Sequence, residues 1–130
     1  MNFKSGIERV ANLDVEAARS AAGALGATVY VLPSDAINDY IAFFDWIRAS
    51  VPLDPPIRRA GSWDALKGSL WSGLFSLESP HIVFIWPHVD AMLPVEQRET
   101  ALGILGAVAE ELADPDYTRG HPKLFTILLG

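Results

Sequence analysis

Asp64, Gly68, Trp71 and Phe75 follow one another at steps of four, three and four residues. On a helical wheel of roughly 100° per residue they share an arc of about 60°. Trp63, Leu66, Leu70, Gly73, Leu74 and Leu77 share a separate arc of about 100°, roughly opposite, which is the natural core stripe. A carboxylate beside two large aromatics, turned away from the core, has the composition of a protein-binding hot spot. Each residue also has a structural reading. A carboxylate in a first helical turn stabilises the helix by about 0.3–1 kcal/mol through its unpaired N–H groups. Trp71 and Phe75 could equally be covered by an N-terminal unit or by another helix.

Other residue types point less clearly to chemistry. His81, His88 and His121 are the histidines of the chain. His88-Val89-Asp90 supplies two metal-ligand types at close spacing, but a metal site needs a third ligand, so no metal is expected. His81 reads as the opening of a strand, and His121 lies in the polar turn Arg119-Gly120-His121-Pro122. No serine sits in Gly-x-Ser-x-Gly, cysteine is absent, and neither a dinucleotide fingerprint nor a phosphate loop occurs. Gly103 and Gly106 fall inside a helical pattern, where close packing against a sheet is the expected role. A non-enzyme without a cofactor follows from this reading, with a small hydrolase as the weakest alternative.

The elements that must carry these residues alternate between strand and helix patterns. Gly6-Ile7-Glu8-Arg9-Val10 has a period of two, and Thr28-Val29-Tyr30-Val31-Leu32 is β-branched and closed by Pro33. Between them Asp14 can cap a helix over Val15 to Leu25 that Gly26 ends. Ser34 is the expected cap of a helix from Asp35 to Ser50, with Ile37, Tyr40, Ile41, Phe44 and Ile47 inward. Pro52, Pro55 and Pro56 break it into a loop that Arg58 and Arg59 close. Ser62 opens the next helix, and His81 to Trp86 is apolar enough for a strand buried on both faces. Pro94 suits the start of a long helix that points Ala101, Leu102, Leu105, Val108, Ala109 and Leu112 inward and ends near Asp114-Pro115. Phe125 to Leu129 is the last strand. The alternation predicts an α/β fold with a mainly parallel sheet.

Bulk properties bound the partners. The chain has 130 residues, suited to one domain with a proper core, and half of them are apolar. Sixteen acidic against ten basic side chains give a net charge of −6. That argues against a phosphate-tracking nucleic-acid binder and permits a basic partner; the plainer reading is that it keeps a small domain soluble. The apolar runs are far shorter than the roughly 20 residues of a membrane span. The opening Met1-Asn2-Phe3-Lys4-Ser5-Gly6 lacks the apolar core of a secretory signal, and the lack of cysteine fits a reducing compartment. A cytoplasmic protein that binds neither membrane nor nucleic acid is expected.

The segment Ser62-Trp63-Asp64-Ala65-Leu66, followed by the strand His81-Ile82-Val83-Phe84-Ile85-Trp86, resembles the barstar family of acidic inhibitors of secreted bacterial ribonucleases. The order of elements from about Val29 to Gly130, including the closing Phe125-Thr126-Ile127-Leu128-Leu129, is similar to that family's fold. The resemblance implies a single domain over 1–130: a barstar-like core over 28–130 with a mainly parallel three-stranded sheet, and a strand-helix extension over 1–27. It implies an inhibitor or immunity protein that blocks a toxic, basic ribonuclease with an acidic helix face in place of substrate phosphates. The contacts it implies are Asp64, Lys67, Gly68, Trp71 and Ser72 on the signature helix, Arg58 in the proline loop, and Glu110 on the long helix. Glu110 is the nearer match to a toxin-contacting glutamate, with Glu111 adjacent. The chain departs from the family in having Ala60 and Ser62 where Gly and Asn are common. It also has Gly68, preceded by Lys67, where the family carries its second aspartate. An adaptor or regulatory domain that kept the fold without inhibiting a ribonuclease is the alternative.

Overall fold

The computed structural model describes residues 3–33 and 35–130. Its centre is β3 (His81–Trp86), which lies between β4 (Leu124–Leu129) and β2 (Thr28–Val31), while β1 (Gly6–Arg9) adds to the outer edge of β4. All three pairings are parallel, with His81 opposite Leu124, Thr28 opposite Ile82 and Gly6 opposite Thr126. The parallel α/β architecture is as the alternation predicts. The sheet has four strands where the core alone is expected to have three, because the strand of the N-terminal extension pairs along β4.

Each face of the sheet buries a different layer, and the alternation along β3 shows why that strand is apolar throughout. Ile82, Phe84 and Trp86 join the larger core beneath α2 (Tyr40–Ser50), α3 (Trp63–Phe75) and α4 (Val95–Ala113). Val83 and Ile85 join a smaller core with Phe3, Leu128 and the small residues Ala18 and Ala22 of α1 (Val15–Ala24). The N-terminal helix therefore packs on the sheet face opposite α3 and cannot cover Trp71. Asp14 caps α1 by accepting the Ala17 N–H at 3.0 Å, and the chain leaves through Gly26 at φ 77°.

The helix α2 starts five residues later than Asp35. Asp39 is its cap, accepting the Ala42 N–H at 2.9 Å, and the Tyr40 N–H donates to Gln97 Oε1 at 2.8 Å. The expected cap Ser34 lies outside the described residues. Ile37 is buried without being helical, while Ile41 faces outward at 47% exposure and Phe43 takes the inward position. Of the two long-helix glycines, Gly106 packs on the sheet, where a Cβ would stand 3.4 Å from Ile7 Cδ1. Gly103 is exposed with nothing near it, contrary to the expected close packing. Among the described residues no helix is long and apolar enough to cross a membrane.

Two buried polar groups were not visible in the pattern. Lys123 donates its ammonium to the carbonyls of Leu77 and Ser79, tying the exit of α3 to the entry of β4, and burial lowers its pKa. Thr126 Oγ1 donates to the Lys4 carbonyl at 2.7 Å, so the His81 Nε2 that meets it at 3.0 Å must be the donor. That bond holds the imidazole edge-on to Phe3, and burial lowers the His81 pKa.

Candidate functional site

The helix α3 is held on two sides, which fixes what it presents on the third. Ser62 Oγ accepts the Ala65 N–H at 3.2 Å, and Leu66, Leu70 and Leu74 are fully buried. Beside them the proline loop is strapped to the helix backbone: the Asp54 N–H donates to the Ser69 carbonyl at 3.1 Å. Gly73 permits this approach, since a Cβ there would stand 1.8 Å from the Pro52 carbonyl oxygen.

The remaining side of α3 looks toward the C-terminal end of α4. Asp64, Lys67, Gly68, Trp71 and Ser72 line one open groove of about 500 Å³ together with Glu111 and Tyr117. Lys67 Nζ reaches Glu111 Oε2 at 3.0 Å, and this ion pair bridges the two helices. The hydrogen bond and charge of Glu111 raise the Lys67 pKa, with Tyr117 and Asp64 adding to the effect. Beyond the bridge a second groove of about 290 Å³ is lined by Lys67, Ala107, Glu110, Glu111, Asp114 and Tyr117. Tyr117 is 57% exposed and stands in the turn that leaves α4, where its N–H donates to the Asp114 carbonyl at 3.1 Å. The same turn is closed by the Asp116 N–H on Asp114 Oδ1 at 2.8 Å.

Trp71 and Phe75 stack at a centroid distance of 5.0 Å and an interplanar angle of 21°, both half-buried against the rim of the larger core. The Trp71 indole N–H is enclosed and has no hydrogen-bond partner among the described residues. Leaving a donor so costs about 1–3 kcal/mol. The ring is therefore neither a solvated surface group nor a fully accommodated core residue.

Five of the seven sequence-selected residues thus meet in one groove, and Glu110 lines the adjoining one. Arg58 is exposed on the proline loop and lines neither. The loop reaches α3 through Pro52 and Asp54, on the side away from the groove residues, and does not bring Arg58 to them. Glu111, rather than Glu110, makes the contact to the signature helix. The wheel contains that signal: taking Leu105, Val108, Ala109 and Leu112 as the core stripe, Glu111 lies roughly 110° from its centre and Glu110 roughly 150°. Residues at the flank of a stripe meet the neighbouring helix. Tyr117 carries no such signal, because its position depends on an irregular turn.

Of the histidine-aspartate pair, only Asp90 is engaged by neighbouring side chains among the described residues. His88 is exposed at φ 57°, and Asp90 is held by Arg9 at 3.2 Å and Arg98 at 3.7 Å. These ion pairs link the end of β1 to the entry of α4. Among the described residues no three His, Cys, Asp or Glu side chains are grouped to hold a metal ion. No family model, no curated protein and no solved structure matches this chain.

Proposed function

We propose that this chain is an inhibitor or immunity protein that binds a toxic bacterial ribonuclease of basic character through the α3–α4 face. The observation that carries the reading is the meeting of Asp64, Trp71 and Ser72 with Glu111 and Tyr117 in one open groove bordered by Glu110 and Asp114. Carboxylates on an open surface can take the place of RNA phosphates toward the arginines and lysines of a nuclease. The net charge of −6 speeds encounter with such a partner, and the aromatic surface slows release. The barstar resemblance of the signature segment supports the same partner class.

The test is a titration of RNA cleavage by a barnase-type ribonuclease, and by any ribonuclease encoded beside this chain, with the purified full-length protein. Stoichiometric loss of cleavage that is weakened in Asp64→Ala is the expected result. Cleavage unaffected at large molar excess for all these enzymes would overturn the reading. The adaptor alternative draws on Gly68 and the Lys67–Glu111 pair, which leave Asp64 as the single carboxylate that α3 contributes to the groove. It predicts capture of a non-nuclease partner by the same face.

A further inference from the structure

We propose that the hollow over Gly68 is a socket for an arginine side chain carried by a basic protein partner. The proposal rests on the inhibitor reading of this face and adds the chemistry of its central contact.

The shape argument begins with Gly68 itself. A glycine inside a helix costs about 1 kcal/mol relative to alanine. Gly73 on the same helix has a packing reason in the Pro52 carbonyl, whereas a Cβ at Gly68 would meet nothing within 4 Å. Gly103 is equally open, but it lines neither groove. At Gly68 the missing side chain deepens the groove that Trp71 and Tyr117 also line, and leaves a hollow that a partner's side chain can enter.

Charge selects a cation. Asp64, Glu110, Glu111 and Asp114 line the two joined grooves, and among the described lining residues Lys67 is the one cation, already paired to Glu111. Three of those carboxylates lie in or directly after the last turn of the 19-residue α4, and that turn holds no basic residue. That end holds the unpaired carbonyls and the negative pole of the helix, where acidic side chains are unfavourable. An incoming cation relieves both effects.

Trp71 and Tyr117 then favour a guanidinium over an ammonium. A guanidinium can lie against aromatic surface and still form two parallel hydrogen bonds to a carboxylate, whereas an ammonium is a compact, strongly hydrated charge. Flanked by Asp64 and Glu111, the groove supplies both kinds of contact to one planar group.

The experiment uses the full chain, with acetyl-hexaarginine amide as probe and acetyl-hexalysine amide as control, followed by NMR at the Trp71 indole and the Gly68 and Glu111 amides. Hexaarginine should shift all three and bind about fivefold or more tightly than hexalysine. Gly68→Leu should bind hexaarginine about tenfold more weakly, because the leucine fills the hollow. It should melt no lower than wild type, since leucine is the better helix former and a Cβ meets no neighbour. Equal affinity for the two peptides, or undiminished binding by Gly68→Leu, would overturn the socket. The two readings fail separately. If wild type and Gly68→Leu inhibit a ribonuclease equally, the inhibitor stands and the socket does not. Selective hexaarginine binding at Gly68 with no ribonuclease inhibited sinks the inhibitor and supports a socket for another basic protein.

Discussion

The two sides of α3 treat glycine in opposite ways. Toward the proline loop, Gly73 is closed over by the Pro52 carbonyl, and the loop backbone bonds to the helix at Ser69. Toward the end of α4, Gly68 faces open space, with a half-buried aromatic pair and an excess of carboxylates around it. On the first side the glycine is explained by packing within the chain. On the second the chain supplies nothing to meet it. The difference separates a helix side that builds the fold from one available to a partner, and substitutions on the two sides should diverge accordingly.

The largest effect belongs to the buried face. Leu70→Ala should lower unfolding free energy by about 2–5 kcal/mol in denaturant titrations, since Leu70 is fully buried between α3 and the sheet. Trp71→Ala, on the groove side, should cost at least about 2 kcal/mol of partner binding by calorimetry. Its loss of fold stability should be smaller than that of Leu70→Ala, because the ring is only half-buried and its N–H already lacks a partner. A Trp71→Ala chain that binds as wild type would remove the aromatic pair from the interface.

The glycines give the sharpest contrast. Gly73→Ala should destabilise by about 1–3 kcal/mol, as the new methyl forces the loop backbone away from the helix. Gly68→Ala should stabilise by about 0.5–1 kcal/mol through helix propensity alone. Equal signs in a thermal melt of the two variants would contradict the division between the sides.

How much of this was legible in the sequence depended on whether the signal was local. The run Ile82 to Trp86 declared a central strand because both faces of β3 are covered, and Asp14 and Ser62 marked helix starts through their own side chains. The start of α2 was misplaced because Ile37 carries a burial signal without being helical. The bond that helps to fix Tyr40 comes from Gln97 on another helix. At the candidate site the α3 residues were readable from helical spacing. Glu110 and Glu111 are both acidic and adjacent, and what separates them in the structure is the contact of Glu111 to Lys67. Tyr117 and Lys123 depend on turns whose geometry no periodicity encodes, and Arg58 lines neither groove because adjacency in the chain is not adjacency on the helix surface.

The smallest expected effect lies away from both sides of α3. His81 donates from Nε2 to Thr126 Oγ1, and burial lowers its pKa below the ordinary value near 6.5. The unfolded chain therefore binds the proton more readily, so stability should be full above that pH and decline as pH falls below it. His81→Gln should flatten this decline in melts taken between about pH 7 and pH 5. An unchanged slope would show that His81 is not responsible.

The central claim is that the α3–α4 face, and not the α1 face of the sheet, meets the partner. Hydrogen–deuterium exchange of the full chain, alone and saturated with a ribonuclease that it inhibits, tests this most directly. The account predicts new protection across Asp64–Ser72 and Glu110–Tyr117, with α1 and β1 unchanged. Protection confined to α1 or to the outer edge of β1, with the α3–α4 segments exchanging as in the free protein, would contradict it.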